Sequence, residues 1–115
     1  MNKKQLDALL ETLSAAHRKK RTKDYRNNPS AIRFLAEQYE NNKLQRATNV
    51  FDEDELEIVA KFLRVSFDEL VYMDMFHATL LVDHCEANAP PKVYRALRDI
   101  RSQRIDKLRH PADLY

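Results

Sequence analysis

The chain has 115 residues, no glycine, 20 Lys/Arg, 18 Asp/Glu and a formal net charge of +2. Because glycine is the residue that adopts positive φ at little cost, its absence excludes P-loops, glycine-rich dinucleotide fingerprints and nucleophile elbows. The length predicts one domain that spans residues 1–115 and buries its own hydrophobic core.

The charged residues fall into three blocks. Residues 1–33 carry nine Lys/Arg and three Asp/Glu, residues 34–89 carry four and twelve, and residues 90–115 carry seven and three, so the blocks have net charges of +6, −8 and +4. In one interpretation, the basic ends neutralise the acidic middle within the fold. In the other, the two basic blocks share a face that binds a polyanion.

Apolar residues at helical spacing predict two helices in the basic N-terminal block. The first covers residues 3–26, and its core-facing positions are Leu6, Leu9, Leu10 and Leu13. Asn28 and Pro29 then occupy the cap and first-turn positions of a second helix over residues 29–42. The positions of this helix that we expect to face inward are Ile32, Leu35, Ala36 and Tyr39.

The acidic middle block predicts a connection and two further helix starts. Residues 41–49 are polar and indicate a connection, after which Asp52 and Glu55 have the spacing of a capping box. The core positions of this third helix are Leu56, Val59, Ala60 and Leu63. Ser66 and Glu69 repeat the capping-box spacing and predict a fourth helix that starts without a long loop.

The fourth predicted helix is apolar on all sides over Leu70–Val82, which is typical of a helix surrounded by others. The sequence ANAPP at residues 87–91 breaks the chain, and residues 92–109 predict a fifth helix. The inward positions of that helix are Val93, Leu97, Ile100 and Leu108. The predicted fold is therefore all-α, a single compact domain of about five helices with a central hydrophobic fourth helix.

The stretch VAKFLRVSFDEL, residues 59–70, places apolar residues around a helix end and the next helix start. It resembles the segment that ends many helix-turn-helix domains of the Cro/CI repressor type (XRE-like regulators), commonly written I-A-x-x-L-x-V-S-x-x-E-L. In that family the segment packs behind the recognition helix, so the resemblance implies that Asp68 and Glu69 face solvent, away from DNA. The same pattern also fits a capped helix pair with a purely structural role.

Extended upstream, the resemblance implies a recognition helix at Ser30–Lys43. Such helices contact bases and phosphates with polar side chains, and helix-turn-helix proteins commonly bind paired half-sites as dimers. The residues available for these contacts are Arg33, Gln38, Asn41, Asn42 and Lys43. A homodimer is a further expectation, because the chain is small.

Two basic segments are the candidate phosphate contacts. HRKKRTK, residues 17–23, extends the first helix beyond its apolar stripe, and only Glu11 and Asp24 lie close enough along that helix to pair with it. On the fifth helix, arginines recur every three residues and form a strip that fits a nucleic-acid groove, acidic groups of this chain, or another protein. The candidate nucleic-acid-binding residues are Arg18, Lys19, Lys20, Arg21, Lys23, Arg33, Lys43, Arg95, Arg98, Arg101 and Arg104.

Candidate metal ligands and nucleophiles are few. Those on the central helix are Asp74, His77, His84 and Cys85. One helix rarely supplies a complete metal site, and the sequence contains neither HExxH nor C-x-x-C. Asp83 and Glu86 flank Cys85 and would raise the pKa of its thiol, which disfavours a nucleophile. We therefore expect no metal, no cofactor and no enzymatic activity.

The sequence also predicts a cytoplasmic protein that does not enter a membrane. Cys85 is the only cysteine, and the first residues, MNKKQLD, contain no apolar leader segment. The longest apolar run, around Met75–Val82, is interrupted by His77 and is far shorter than the roughly 20 residues that span a bilayer.

These patterns predict a small, non-enzymatic, DNA-associated regulatory protein that binds duplex phosphates through its two basic helical segments. The alternative is a protein-binding adaptor or inhibitor that docks a partner, such as a nucleic-acid enzyme, through its charged helical faces.

Overall fold

In the computed structural model of the protein, the backbone of residues 1–109 and the side chains of residues 1–103 are described. The described chain forms six α-helices and a 3₁₀ turn at Ala47–Asn49, with no strand. The helices are α1 (Lys3–Tyr25), α2 (Pro29–Lys43), α3 (Glu53–Leu63), α4 (Phe67–Val71), α5 (Met75–Asn88) and α6 (Pro91–Arg109). Because α4 has only five residues, the prediction of an all-α domain with about five helices is confirmed.

Helix starts follow the expected capping chemistry at two of the three predicted positions. The Asn28 side chain accepts a hydrogen bond from the Ala31 N–H at 3.1 Å, and Asp52 forms the predicted capping box with Glu55. The capping box predicted at Ser66 is wrong. The Ser66 side chain makes no capping hydrogen bond, and its backbone carbonyl instead accepts the Glu69 N–H at 3.2 Å.

The predicted fourth helix is divided into α4 and α5 by a break at residues 72–74. At this break the Ala47 N–H donates to the Met73 carbonyl at 2.9 Å, and the Met75 N–H donates to the Gln45 carbonyl at 2.7 Å. Asp74 then caps α5 by accepting the His77 N–H at 2.9 Å. The helix breaks here because the Met73 carbonyl and the Met75 N–H form hydrogen bonds with the 44–52 connection instead of with residues of one continuous helix.

α5 is the central helix of the core. It packs against α1, α2, α3, α6 and the 3₁₀ turn, and this contact on several sides explains its apolar residues all round. Fully burying an aliphatic side chain contributes about 2 kcal/mol, so α5 organises much of the domain's stability. The buried apolar residues of the core are Leu6, Ala47, Phe51, Leu56, Val59, Ala60, Leu63, Leu70, Ala78, Leu81, Val82, Cys85 and Leu97.

α2 lies at the edge of the domain. It packs against α1 and α5, and none of its side chains is fully buried. Ile32, Leu35 and Tyr39 are half-buried, as predicted for its inward face, whereas Ala36, also predicted inward, is exposed. One side of α2 therefore borders open space instead of closely packed core.

The turn between α3 and α4 contains the only positive-φ residue of the described backbone. Arg64 has φ 58° and ψ 45°, a left-handed conformation that glycine adopts without steric cost and other residues adopt at a cost. The Val65 N–H donates to the Ala60 carbonyl at 3.0 Å and closes the end of α3. In this chain, which contains no glycine, an arginine occupies the left-handed position.

A buried ion bridge joins α3, α5 and α6. The Glu55 side chain is completely buried, and its Oε2 lies 3.2 Å from Arg101 Nε. The Arg101 guanidinium also pairs with the Glu86 carboxylate. Because a buried carboxylate needs a hydrogen-bonded partner, Arg101 holds the C-terminal helix against the acidic middle of the chain.

We expect Arg64→Gly to raise the free energy of unfolding by about 0.5–1 kcal/mol, since glycine removes the steric cost of the left-handed turn. Arg64→Ala is the matched control, because alanine also loses the arginine side chain but keeps a Cβ. Urea unfolding of both variants measures the difference. Equal stability of the glycine and alanine variants would contradict this account of the turn.

We expect Arg101→Gln to lower the free energy of unfolding by about 3 kcal/mol, because it removes a cation that is paired with the buried Glu55 carboxylate. Arg98→Gln removes an exposed arginine three residues earlier and should cost less than about 1 kcal/mol. Chemical denaturation of the two variants makes the comparison. A similar, small loss in both would show that the buried bridge contributes little.

Candidate functional site

The C-terminal half of α1 carries a dense basic surface. Beyond Ser14 no residue of α1 is buried, and the helix continues with charged side chains. Its exposed or partly exposed cations are Arg18, Lys19, Lys20, Arg21 and Lys23. Within residues 1–103 none of these five forms an ion pair, in contrast to Lys43, Lys61 and Arg101. Their charges are therefore available to a ligand.

Two of the predicted nucleic-acid contacts, Arg33 and Lys43, lie on α2 in different surroundings. Arg33 is exposed on its outer side, next to Phe34, whose side chain is 58% exposed. Lys43 lies at the other end of the helix, where its Nζ is 3.2 Å from Glu40 Oε1 and 5.6 Å from the centroid of the Phe76 ring. Gln38 and Asn41 are also exposed.

The arginine strip of α6 is interrupted. Arg95 and Arg98 are exposed, and the Arg98 guanidinium lies 5.7 Å from the centroid of the Tyr94 ring. Arg101, predicted to contact nucleic acid, is instead paired internally with Glu55 and Glu86. Arg101 therefore follows one of the alternatives given for the strip, in which its arginines bind acidic groups of this chain. The side chain of Arg104 lies outside the described residues.

Side chains from α1, α2 and α5 line a half-open cavity of about 440 Å³. It brings together three of the predicted contacts, Arg18, Arg21 and Lys43, while none of the α6 residues up to Gln103 lines it. The remaining lining residues are Ser14, His17, Thr22, Ile32, Leu35, Ala36, Tyr39, Glu40, Phe76 and His77. The cavity therefore has an apolar wall, two imidazoles and a mostly cationic rim.

A cluster of rings forms one side of this cavity. His17 Nε2 lies 2.9 Å from the Tyr39 hydroxyl, and the two ring centroids are 5.1 Å apart in a T-shaped arrangement. Phe76 contacts Tyr39 and His77, with centroid separations of 5.3 Å and 5.2 Å. Asp74 Oδ2 lies 2.6 Å from His77 Nδ1, which fixes the orientation of that imidazole. The wall of the cavity is thus preorganised.

His17 sits in surroundings that disfavour its protonated form. Partial burial lowers the pKa of its imidazole below 6.5, and the positive charges of Arg21 and Lys20 lower it further. The carboxylate of Asp83, on α5, acts in the opposite direction. A neutral His17 can both accept and donate a hydrogen bond, so the geometry suits recognition of a polar ligand group.

The candidate metal ligands do not come together. Among the described residues, no group of three or more His, Cys, Asp or Glu side chains is placed to hold a metal ion. Asp74 and His77 bind each other, and His84 contacts the Asn88 amide. Cys85 is completely buried, and burial, with a smaller effect of Glu86, raises the pKa of its thiol to about 11.

Comparisons with known proteins give no relative for this chain: no family model, no curated protein and no solved structure matches it. Nor does any helix in the described part of the chain have the length and apolar character needed to cross a membrane. Functional proposals therefore depend on the chemistry of the surface and the cavity.

Sequence patterns did not reveal the cavity itself. The sequence predicts Tyr39 on the inward face of the second helix and offers His77 only as a candidate metal ligand. One feature of the sequence does indicate the cavity. His17 and Arg21 continue the inward side of α1 beyond its last leucine, Leu13. Their polar character on that side indicates a surface that does not close into core.

We expect the stability of the protein to decrease as pH falls below about 6.5. In the unfolded chain, histidine has a pKa of about 6.5 and binds a proton at a higher pH than folded His17, whose pKa is lowered. The stabilisation that is present above pH 6.5 is therefore lost as the pH falls from about 6.5 to the lowered pKa. His17→Gln should flatten this pH dependence, whereas His84→Gln should retain it. Urea midpoints across the range provide the measurement, and parallel curves for wild type and His17→Gln would contradict the prediction.

Proposed function

We propose that this protein is a small, non-enzymatic, DNA-associated regulator of the cytoplasm that binds duplex phosphates mainly through the C-terminal half of α1. The observation that carries the proposal is the run of five α1 cations, Arg18, Lys19, Lys20, Arg21 and Lys23, with no ion-pair partner in residues 1–103. Lys/Arg contacts to phosphates supply most of the affinity in non-specific DNA binding. Such a run is therefore suited to a phosphate backbone.

Two other surfaces extend the proposed interface. On α2, Arg33, Gln38 and Asn41 are exposed and have the side-chain chemistry of base and phosphate contacts. This is the helix that the Cro/CI resemblance assigns to recognition. On α6, Arg95 and Arg98 are the exposed arginines, and Arg101 is unsuited because its charge is used internally. A homodimer presenting two such surfaces belongs to the same proposal.

The acids of α3 and α4 are compatible with this arrangement. Glu57 is paired with Lys61 at 3.4 Å, and Asp68 is exposed on a different helix from the basic run. Neither acid lies on α1 or α2, so the proposed contact surface does not require them to approach phosphate.

A second candidate function is supported by exposed apolar side chains. Leu44 is 86% exposed, Tyr72 74% and Phe34 58%. Large apolar side chains that a domain leaves in water are common anchors of protein interfaces. An adaptor or inhibitor that docks a protein partner would use them, with the charged helices steering the encounter.

We expect a labelled random-sequence duplex to bind with a logarithmic affinity that falls linearly with log salt between about 50 and 200 mM, as counterions are released from phosphates. Lys19→Gln with Lys20→Gln should weaken binding and reduce the slope by about 0.9 for each lost phosphate contact. Fluorescence anisotropy at several salt concentrations measures both quantities.

The matched control is Lys3→Gln with Lys4→Gln, which makes the same charge change on the first turn of the same helix. An equal loss in both double variants would show that net charge, and not the C-terminal half of α1, determines binding. No binding at the lowest salt would reject the duplex proposal. It would favour the protein-docking function, for which Leu44→Ser and Tyr72→Ser are the variants to test.

A further inference from the structure

The cavity between α1, α2 and α5 has the features of a ligand site, and it shares Arg18 and Arg21 with the surface proposed to bind duplex. We propose that it binds one nucleotide unit, with the base against the apolar wall and the phosphate at the cationic rim. This inference does not rest on duplex binding, because the apolar wall and Lys43 of α2 belong to the concave site and not to the outer surface of α1.

The volume and wall of the cavity fit a planar ring. About 440 Å³ lies within the roughly 300–1,000 Å³ typical of small-molecule sites. Ile32, Leu35, Tyr39 and Phe76 supply the apolar and aromatic lining. Aromatic side chains of this kind bind nucleobases through their ring surfaces, largely without regard to sequence.

The rim of the cavity supplies charge for a phosphate. Arg18, Arg21 and Lys43 contribute three positive charges and Glu40 one negative charge, so these four side chains have a net charge of +2. Arginine guanidinium groups bind phosphate oxygens through paired hydrogen bonds. Lys43 is held by Glu40 at 3.2 Å, so an incoming phosphate competes with a single exposed carboxylate for that ammonium group.

Fixed polar groups beside the wall can recognise the edge of a base. The Tyr39 hydroxyl is held by His17 at 2.9 Å, and His77 Nδ1 is held by Asp74 at 2.6 Å. With Nδ1 occupied, Nε2 is the remaining polar atom of the His77 ring. A few oriented polar groups in an apolar site give a ligand its orientation, and here they match the donors and acceptors of a nucleobase.

The surroundings of the cavity favour a nucleotide over other small anions. Arg18 and Thr22 line both the cavity and a more open depression along α1 that also includes Lys19, Lys23 and Arg26. The cationic surface therefore continues outward from the rim, as a phosphate chain attached to the bound unit would require. A free mononucleotide and the end of a single strand present the same chemistry to the cavity.

The test is calorimetric titration of the full chain with the four ribonucleoside monophosphates. We expect at least one of them to bind about tenfold or more tightly than either its nucleoside or inorganic phosphate alone, because base and phosphate contact different parts of one site. A short single strand ending in the same nucleotide separates the two sources. Tighter binding of the strand identifies a strand end, and equal binding identifies the free nucleotide; both results support the cavity.

Arg21→Gln should weaken binding about tenfold by removing one rim cation, while Lys4→Gln, a matched change at the other end of α1, should leave it unchanged. Lys43→Gln gives a second rim variant on α2, and circular dichroism with thermal melting shows that each variant folds. The proposal is overturned if no monophosphate binds at millimolar concentration. It is also overturned if the nucleoside binds as tightly as its monophosphate, or if folded Arg21→Gln and Lys43→Gln both bind like the wild type.

Discussion

The pairing of Arg101 with the buried Glu55 carboxylate is the interaction on which the arrangement of the domain depends. It joins α3 to α6, and the second pairing with Glu86 joins both to α5. Breaking a buried ion pair by removing one partner typically costs about 3–5 kcal/mol. α6 is therefore fixed against α3 and α5, and α1 and α2 pack on the central helix from elsewhere.

The same pairing makes the two basic ends of the chain unequal. Arg101 satisfies acids of the middle block, so part of the positive charge of residues 90–115 is used within the fold. The cations of α1 have no such partners in the described chain, because the helix extends beyond its last buried position, Ser14. Of the two interpretations of the charge blocks, internal neutralisation applies at α6, while the surface of α1 remains suited to an external anion.

Local features of the fold could be predicted from the sequence, and features that depend on remote contacts could not. The leucine spacing of α1 and the cap at Asn28 are set by neighbouring residues, and both were predicted correctly. The break before α5 was missed because its hydrogen bonds come from Gln45 and Ala47. No periodicity of residues 70–82 contains that information.

The same limit applies to the candidate site. The shortage of nearby acids along α1 left the cations of HRKKRTK unpaired in the sequence, and Arg18, Lys19, Lys20 and Lys23 are exposed, whereas His17 and Arg21 line the cavity. The sequence could not distinguish the internally paired Arg101 from the exposed Arg95 and Arg98, since all three belong to one regular three-residue repeat. In the cavity wall the ring centroids of Tyr39 and Phe76 lie 5.3 Å apart. This contact depends on how α2 packs on α5.

The burial of the only cysteine has a consequence for redox behaviour. Cys85 lies in the core with no exposed surface, and the pKa of its thiol is raised to about 11, so the reactive thiolate is scarce near neutral pH. We therefore expect Cys85 of the folded protein to react slowly with oxidants and to form no disulfide between native chains. Disulfide-linked species would then come from chains that have unfolded.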